Sequence, residues 1–169
     1  APNGGTVANA AGIPKLTEEK SKSYTLGLTF KPNQQFSATA DLYRIDISDR
    51  IVLSGRFDAT NYPALGAVLS GLGVGQAQFF VNSISTRTQG LDLTSSYKTN
   101  FAAGKLTTYF AANFSKTEVT KVKAPAALRG YEDVLLSERE RLFIEQGGPR
   151  RKATLSFNYE QGPWNGEFK

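Results

Sequence analysis

Alternation with a period of two constrains this chain more than any other feature. Tyr24, Leu26, Leu28 and Phe30 fall on one side of an extended segment, with Thr25, Gly27 and Thr29 on the other. That is the pattern of a strand whose two faces meet different surroundings. The same pattern returns four times. Phe36, Ala38, Ala40 and Leu42 oppose Ser37, Thr39 and Asp41, after which the phase flips and Tyr43, Ile45 and Ile47 oppose Arg44, Asp46 and Ser48. The flip predicts a β-bulge near Leu42 and Tyr43. Leu91, Leu93 and Tyr97 oppose Asp92, Thr94 and Ser96; Leu106, Phe110, Ala112 and Phe114 oppose Thr107, Asn113 and Ser115. Finally, Ala153, Leu155, Phe157 and Tyr159 oppose Lys152, Thr154, Ser156 and Asn158. The predicted strands are about 24–30, 36–53, 79–98, 105–122 and 151–160.

What joins these strands narrows the fold further. Short polar turns at 31–35, 100–104 and 161–165 follow the first, third and fifth strands, while long connections at 54–78 and 123–148 follow the second and fourth. In an antiparallel up-and-down meander, every short turn then lies at one end of the sheet and every long loop at the other. Long strands with that asymmetry describe part of a large transmembrane β-barrel; a soluble sandwich has shorter strands. Phe30, Phe36, Tyr97, Phe101, Tyr159 and Trp164 all sit beside the short-turn end, where amphipathic rings favour a membrane–water interface. One short loop helix is predicted near 138–146. There Ser137 and Glu140 have capping-box spacing, and Gly147 supplies a stop. The fold class is therefore all-β, one partial barrel segment over 1–169 with apolar side chains toward lipid and Thr, Ser, Asn and Lys toward a wet lumen. Five strands cannot close a barrel whose usual minimum is about eight, and the chain is expected to be cut from something longer.

Composition removes most chemistry. The sequence has 169 residues and contains neither cysteine nor histidine, which excludes disulfides, thiolate metal sites and a Ser-His-Asp triad. No catalytic residue, bound metal or cofactor is expected, and the chain is read as no enzyme. Net charge is +5, which raises nucleic acid as a partner. The basic residues are scattered, however, and the densest cluster, Arg150, Arg151 and Lys152, has no interleaved aromatics. That points away from nucleic acid and toward a solvated rim with affinity for anionic lipid headgroups. No apolar run approaches the roughly 18–20 residues of a membrane-spanning helix.

Several stretches carry a family resemblance. The run from Leu16 through Glu19, Ser21 and Tyr24 to Gly27 resembles a motif of TonB-dependent receptor barrels. So does Tyr43-Arg44-Ile45-Asp46-Ile47-Ser48-Asp49-Arg50-Ile51. Asn82 to Thr88 followed by Gln89-Gly90-Leu91-Asp92-Leu93, and Gly148-Pro149-Arg150 leading into the last strand, are similar to two more. The resemblance covers about 16–160. It implies a bacterial outer-membrane active transporter that takes up a scarce ligand such as a ferric siderophore, cobalamin or a glycan. It implies as partners the remainder of the parent barrel and its plug, outer-membrane lipid and lipopolysaccharide, and TonB only through an N-terminal plug and TonB box that this sequence does not contain.

Candidate ligand contacts lie in the long loops, where rigid scaffolds present binding groups. They are Arg56, Asp58, Asn61 and Tyr62 in the first, and Arg129 and Tyr131, with Arg139 and Arg141 beyond, in the second. Arg with Tyr suits an anionic aromatic ligand. Asp46, Asp49 and Arg50 form a charged cluster that reads either as a rim ion-pair network or as a carboxylate pair acting on a sugar. Two other classes stay open beside the transporter: a soluble β-sheet carbohydrate-binding module, and a carboxylate-only hydrolase.

Overall fold

The computed structural model describes residues 6–169. In chain order the elements are α1 (Thr6–Ala10), β1 (Lys20–Phe30), β2 (Phe36–Leu53), β3 (Phe57–Asp58), α2 (Pro63–Gly71), β4 (Gln76–Ala77), β5 (Phe80–Phe101) and β6 (Gly104–Val122). A 3-10 turn at Ala126–Leu128, α3 (Glu132–Leu135), α4 (Glu138–Gln146), β7 (Arg151–Gln161) and β8 (Trp164–Phe168) follow. The long strands form one sheet in the order β1-β2-β5-β6-β7-β8, and β3 pairs with β4 in a separate ribbon. The sheet is an antiparallel meander that does not close. β6 and β7 pair from Lys105 with Glu160 to Phe114 with Arg151, and β7 and β8 from Phe157 with Phe168 to Gln161 with Trp164.

Two compact units share the chain. The first holds the described residues up to 22 with 46–87 and 117–147; the second holds 23–45, 88–116 and 148–169.

The second unit is wall. Opposed residues across an antiparallel pair share a face, so Leu106, Phe110 and Ala112 stand with Tyr159, Leu155 and Ala153 on one side. Thr107, Ala111 and Asn113 stand with Asn158, Thr154 and Lys152 on the other. The apolar side is left open: Tyr24, Leu26, Leu28, Phe30, Leu42, Phe110, Phe114 and Leu155 are all exposed. At the short turns the rings pair edge to face. Phe30 meets Phe36 at 6.3 Å and Phe101 meets Tyr159 at 6.3 Å, while the Tyr159 hydroxyl donates to the Phe101 carbonyl at 3.3 Å. The turns have local causes. Asn33 Oδ1 accepts from the Gln35 and Phe36 N–H groups at 2.9 and 2.8 Å, an Asx turn. Gly162 adopts φ 57, a conformation open to glycine without steric cost.

The first unit is a packed module. Phe57, Leu65, Leu69, Phe79, Val81, Leu128 and Leu135 form its core with Ala8, Ala11 and Ile13. The connections expected as loops therefore carry structure of their own, and helix is not confined to 138–146. α2 was hidden by the glycines around it. Its signals are Pro63 at the first helical position, where the missing N–H costs nothing, and Leu65, Val68, Leu69 and Leu72 at helical spacing. α4 forms where the capping box places it: Ser137 Oγ accepts from the Glu140 N–H at 3.3 Å and Glu140 Oε2 accepts from the Ser137 N–H at 3.0 Å. Glu145 then accepts from the Val119 N–H at 2.9 Å, fixing the helix to β6.

The expected bulge at Leu42 and Tyr43 is absent. Thr39 shares a hydrogen bond of 2.7 Å with Thr94, and Tyr43, four residues on, meets Asn113 on that same face, so the phase is unbroken between them. The backbone departs from regular strand geometry later, within β2 at Asp49, whose φ is 55. Asp46 pairs with Arg87 while Arg50 bonds Thr86. Neighbours on β5 thus reach residues four apart on β2, which requires one extra residue between them. The hydrophobic phase flips at Tyr43 without a slip of the backbone there.

Candidate functional site

The long-loop candidates separate into three groups. Asp58 and Asn61 bind each other. Asp58 Oδ1 accepts from the Thr60 and Asn61 N–H groups at 3.0 and 2.8 Å, and its Oδ2 accepts from the Asn61 side-chain amide at 2.8 Å. The Asn61 N–H, its amide and then the Thr60 N–H hold the Asp58 carboxyl below its ordinary value, with desolvation opposing them. This carboxylate shapes the turn into α2.

Tyr62 and Tyr131, from the two different loops, come together at 5.1 Å with perpendicular rings. Both also pack against Phe57, at 4.9 and 6.3 Å. They are half-buried and line the edge of the module's core. Arg56 and Arg129 are exposed on the same unit, and Asn61 is exposed beside its turn. Arg139 lies over the Phe143 ring at 5.7 Å on α4. The module therefore carries exposed arginines and an aromatic cluster whose rings are fixed by packing.

The charged cluster on β2 resolves into structural bonds. Asp46 Oδ1 accepts from Arg87 Nε at 2.7 Å, Arg50 donates to Thr86 Oγ1 at 3.2 Å, and the Asp49 carbonyl accepts from Asn82 at 2.6 Å. Asn82 also ties down Thr17, donating to its carbonyl and accepting from its N–H at 2.8 Å each. Of the two carboxylates Asp46 is engaged by an arginine, and Asp49 enters the network through its backbone carbonyl.

The wall's polar face carries a network that the loop-centred reading missed. Asn113 donates to Asp92 Oδ1 at 2.5 Å and to the Tyr43 hydroxyl at 3.3 Å. The Tyr43 ring lies where a side chain on Gly90 would stand, so only glycine lets the ring cross β5 there. An open cleft on this face, of about 450 Å³, is lined by Asp41, Asp92, Thr94, Asn113, Lys152 and Thr154 among others. The signal was in the sequence, as the glycine of the Gly90-Leu91-Asp92 stretch, but its tyrosine partner lies on a different strand.

The family model described as TonB dependent receptor-like, beta-barrel, matches residues 1–168. No curated protein matches the sequence. Among solved structures the chain is similar to the FrpB iron transporter from Neisseria meningitidis (F3-3 variant), with a TM-score of 0.54 and 22% identity over 90% of this chain. The chain spans 19% of that transporter. At that identity the likeness establishes the fold.

Proposed function

We propose that this chain, which belongs to the TonB-dependent receptor β-barrel family, supplies adjacent wall strands and an external ligand-capturing module to an outer-membrane active transporter. The family is one of bacterial outer-membrane transport receptors, and it implies a plug and a TonB contact in the parent protein. The observation that carries the reading is the wall's two-sidedness: an open apolar face for lipid, backed by a polar face with Asp92, Asn113, Thr94 and Lys152 toward a wet interior. A soluble carbohydrate-binding module would leave that apolar face without a partner.

The ligand class is a scarce, bulky nutrient complex such as a ferric siderophore, cobalamin or a glycan. The structural likeness to an iron transporter inclines the choice toward a ferric siderophore. Arg56 and Arg129, exposed on the unit that holds the Tyr62–Tyr131 pair, would meet an anionic aromatic carrier by charge-assisted hydrogen bonds. Asp58 and Asn61 would hold the shape of the turn.

The test is uptake by the full-length parent of radiolabelled iron on a panel of catecholate and hydroxamate siderophores, with cobalamin alongside. Arg56→Ala combined with Arg129→Ala should weaken capture about a hundredfold or more, since each charged hydrogen bond is worth roughly 1.5–3 kcal/mol, while the barrel still assembles. Full uptake of every probe by that double variant would remove these arginines from the site. Failure of the unaltered parent to take up any probe would remove the proposed ligand class.

A further inference from the structure

β1 is followed by a short turn, so the segment that leads into it lies at the long-loop end of the sheet. That segment, residues 8–19, is built into the module. α1 stops at Gly12, whose φ is 68. The Gly12 N–H donates to the Asn9 carbonyl at 3.1 Å and the Ile13 N–H to the Ala8 carbonyl at 2.9 Å. This pair of bonds turns a chain sharply out of a helix where glycine accepts the left-handed conformation. After the turn Ile13 joins Ala8 and Ala11 in the core that also holds Phe57, Leu69 and Leu128. Tyr62 and Tyr131 pack against that same core.

Residues 14–19 precede the strand ladder, which begins at Lys20, and side chains hold them instead. Asn82 is the main one. Its Oδ1 accepts from the Thr17 N–H and its Nδ2 donates to the Thr17 carbonyl, each at 2.8 Å, while Nδ2 also donates to the Asp49 carbonyl at 2.6 Å. One amide thus replaces a strand neighbour for Thr17. Glu19 Oε1 adds a bond from the Ile51 N–H at 2.8 Å. The apolar hold is slight by comparison with the rest of the core. The long connections contribute phenylalanine and leucine side chains, whereas residues 8–19 contribute two alanines and one isoleucine. Segments with little buried apolar surface open ahead of their surroundings.

We propose that residues 8–19 form a strap that opens ahead of the rest of the module, with Asn82 as its clasp, and that the open strap admits the aromatic part of an anionic ligand to the core edged by Tyr62 and Tyr131. The inference rests on the reading of the module as the ligand-capturing part. Asn82 is a positioning residue: it touches the strap and sets how often the strap is open. Capture then scales with the open fraction.

The test uses the full-length receptor. In hydrogen exchange read by mass spectrometry, peptides covering 8–17 should exchange about tenfold faster than those covering 128–136. Asn82→Ala should speed the strap about tenfold further and leave 128–136 within about twofold. Binding of the ferric complex of 2,3-dihydroxybenzoate, an anionic aromatic probe, should strengthen in Asn82→Ala by about the same factor. Should that variant not assemble, Ile13→Ala loosens the strap from its other end and carries the same expectation. A lock gives the converse. A Cβ on Gly12 would stand 3.5 Å from that of Ala127, a separation that a disulfide spans. The combined Gly12→Cys and Ala127→Cys variant should therefore bind the probe about tenfold more weakly oxidised than reduced. The strain of a side chain at the left-handed Gly12 is common to both forms and drops out of that ratio. A strap that exchanges together with 128–136 in every variant, or equal probe binding by the oxidised and reduced pair, would overturn the strap and leave the module's arginines standing as a site. No probe binding by the unaltered receptor or by Asn82→Ala, with the exchange difference present, would overturn the ligand-capturing reading and the strap's role with it.

Discussion

The loop module and the wall treat apolar side chains in opposite ways. In the module, Phe57, Leu69, Leu128 and Leu135 are all 0% exposed. In the wall, Leu28 is 72% exposed, Leu26 68% and Trp164 78%. The module buries its own apolar surface, as a chain in water does. The wall leaves its apolar surface open, as the lipid-facing role proposed for it requires. Each half of this contrast can be broken separately.

The largest effect should come from the module's centre. Phe57 touches Tyr62, Phe79 and Tyr131, so Phe57→Ala removes the ring that both loops share. The expected cost is about 3–5 kcal/mol. It should appear in the intact receptor as rapid proteolysis within 54–78 and 123–148 while the wall stays protected. Unchanged cleavage would mean that the loops are ordered by something other than this core.

The converse substitution is Leu155→Arg in the wall, with Leu93→Arg on β5, two strands away, as its companion. Leu155 pairs with Phe110 on the open apolar face and is already 47% exposed. A soluble protein would accept arginine there almost freely. In a bilayer the cost should be about 2–4 kcal/mol near the midplane, read as lost assembly in vesicles. Normal assembly of both variants would remove lipid as the wall's solvent.

The two regions were also unequally legible. The wall could be read from sequence because each strand repeats its instruction locally: Ala153, Leu155, Phe157 and Tyr159 specify β7 without reference to any other residue. The module's core depends on contacts between remote residues, such as Tyr62 with Tyr131, and no periodicity links them. α2 was obscured because Gly66, Gly71, Gly73 and Gly75 read as loop punctuation although Pro63 opens a helix. The β2 irregularity was misplaced because a reversal of the hydrophobic pattern reads the same whether or not the backbone slips. Asp49, a residue type that tolerates the left-handed region, was the available cue. Among the loop candidates, Asp58 and Asn61 could have been recognised as a turn from their spacing. The exposure of Arg56 and Arg129 required the fold.

A smaller test concerns α4, the module helix that the sequence located. Ser137→Ala removes an acceptor for the Glu140 N–H and should cost about 1 kcal/mol. Faster hydrogen exchange confined to 138–146 would show that α4 opens on its own. Exchange spreading to α2 would show that the module opens as a single unit.

The smallest effect separates the regions by pH. The Asp58 carboxyl titrates below its ordinary value of 3.8 because the Asn61 N–H, the Asn61 amide and the Thr60 N–H all favour its charged form. A carboxylate depressed on folding adds stability above its unfolded pKa and loses that contribution as pH falls through the folded one. Acidification below about pH 4 should therefore loosen the turn into α2. The backbone ladders of β6 and β7 carry no titrating group of their own and should persist. Asp58→Asn keeps an oxygen acceptor for the N–H groups but has no proton to gain, so it should flatten the acid response of the first loop. Carbon-13 carboxyl shifts of Asp58, followed with amide exchange at Thr60 and Asn61, read both sides of the linkage. If the Asp58 carboxyl titrated at or above 3.8, or the Asn variant kept the acid response unaltered, the turn would not be held by this charge, and the module's acid sensitivity would have to lie elsewhere.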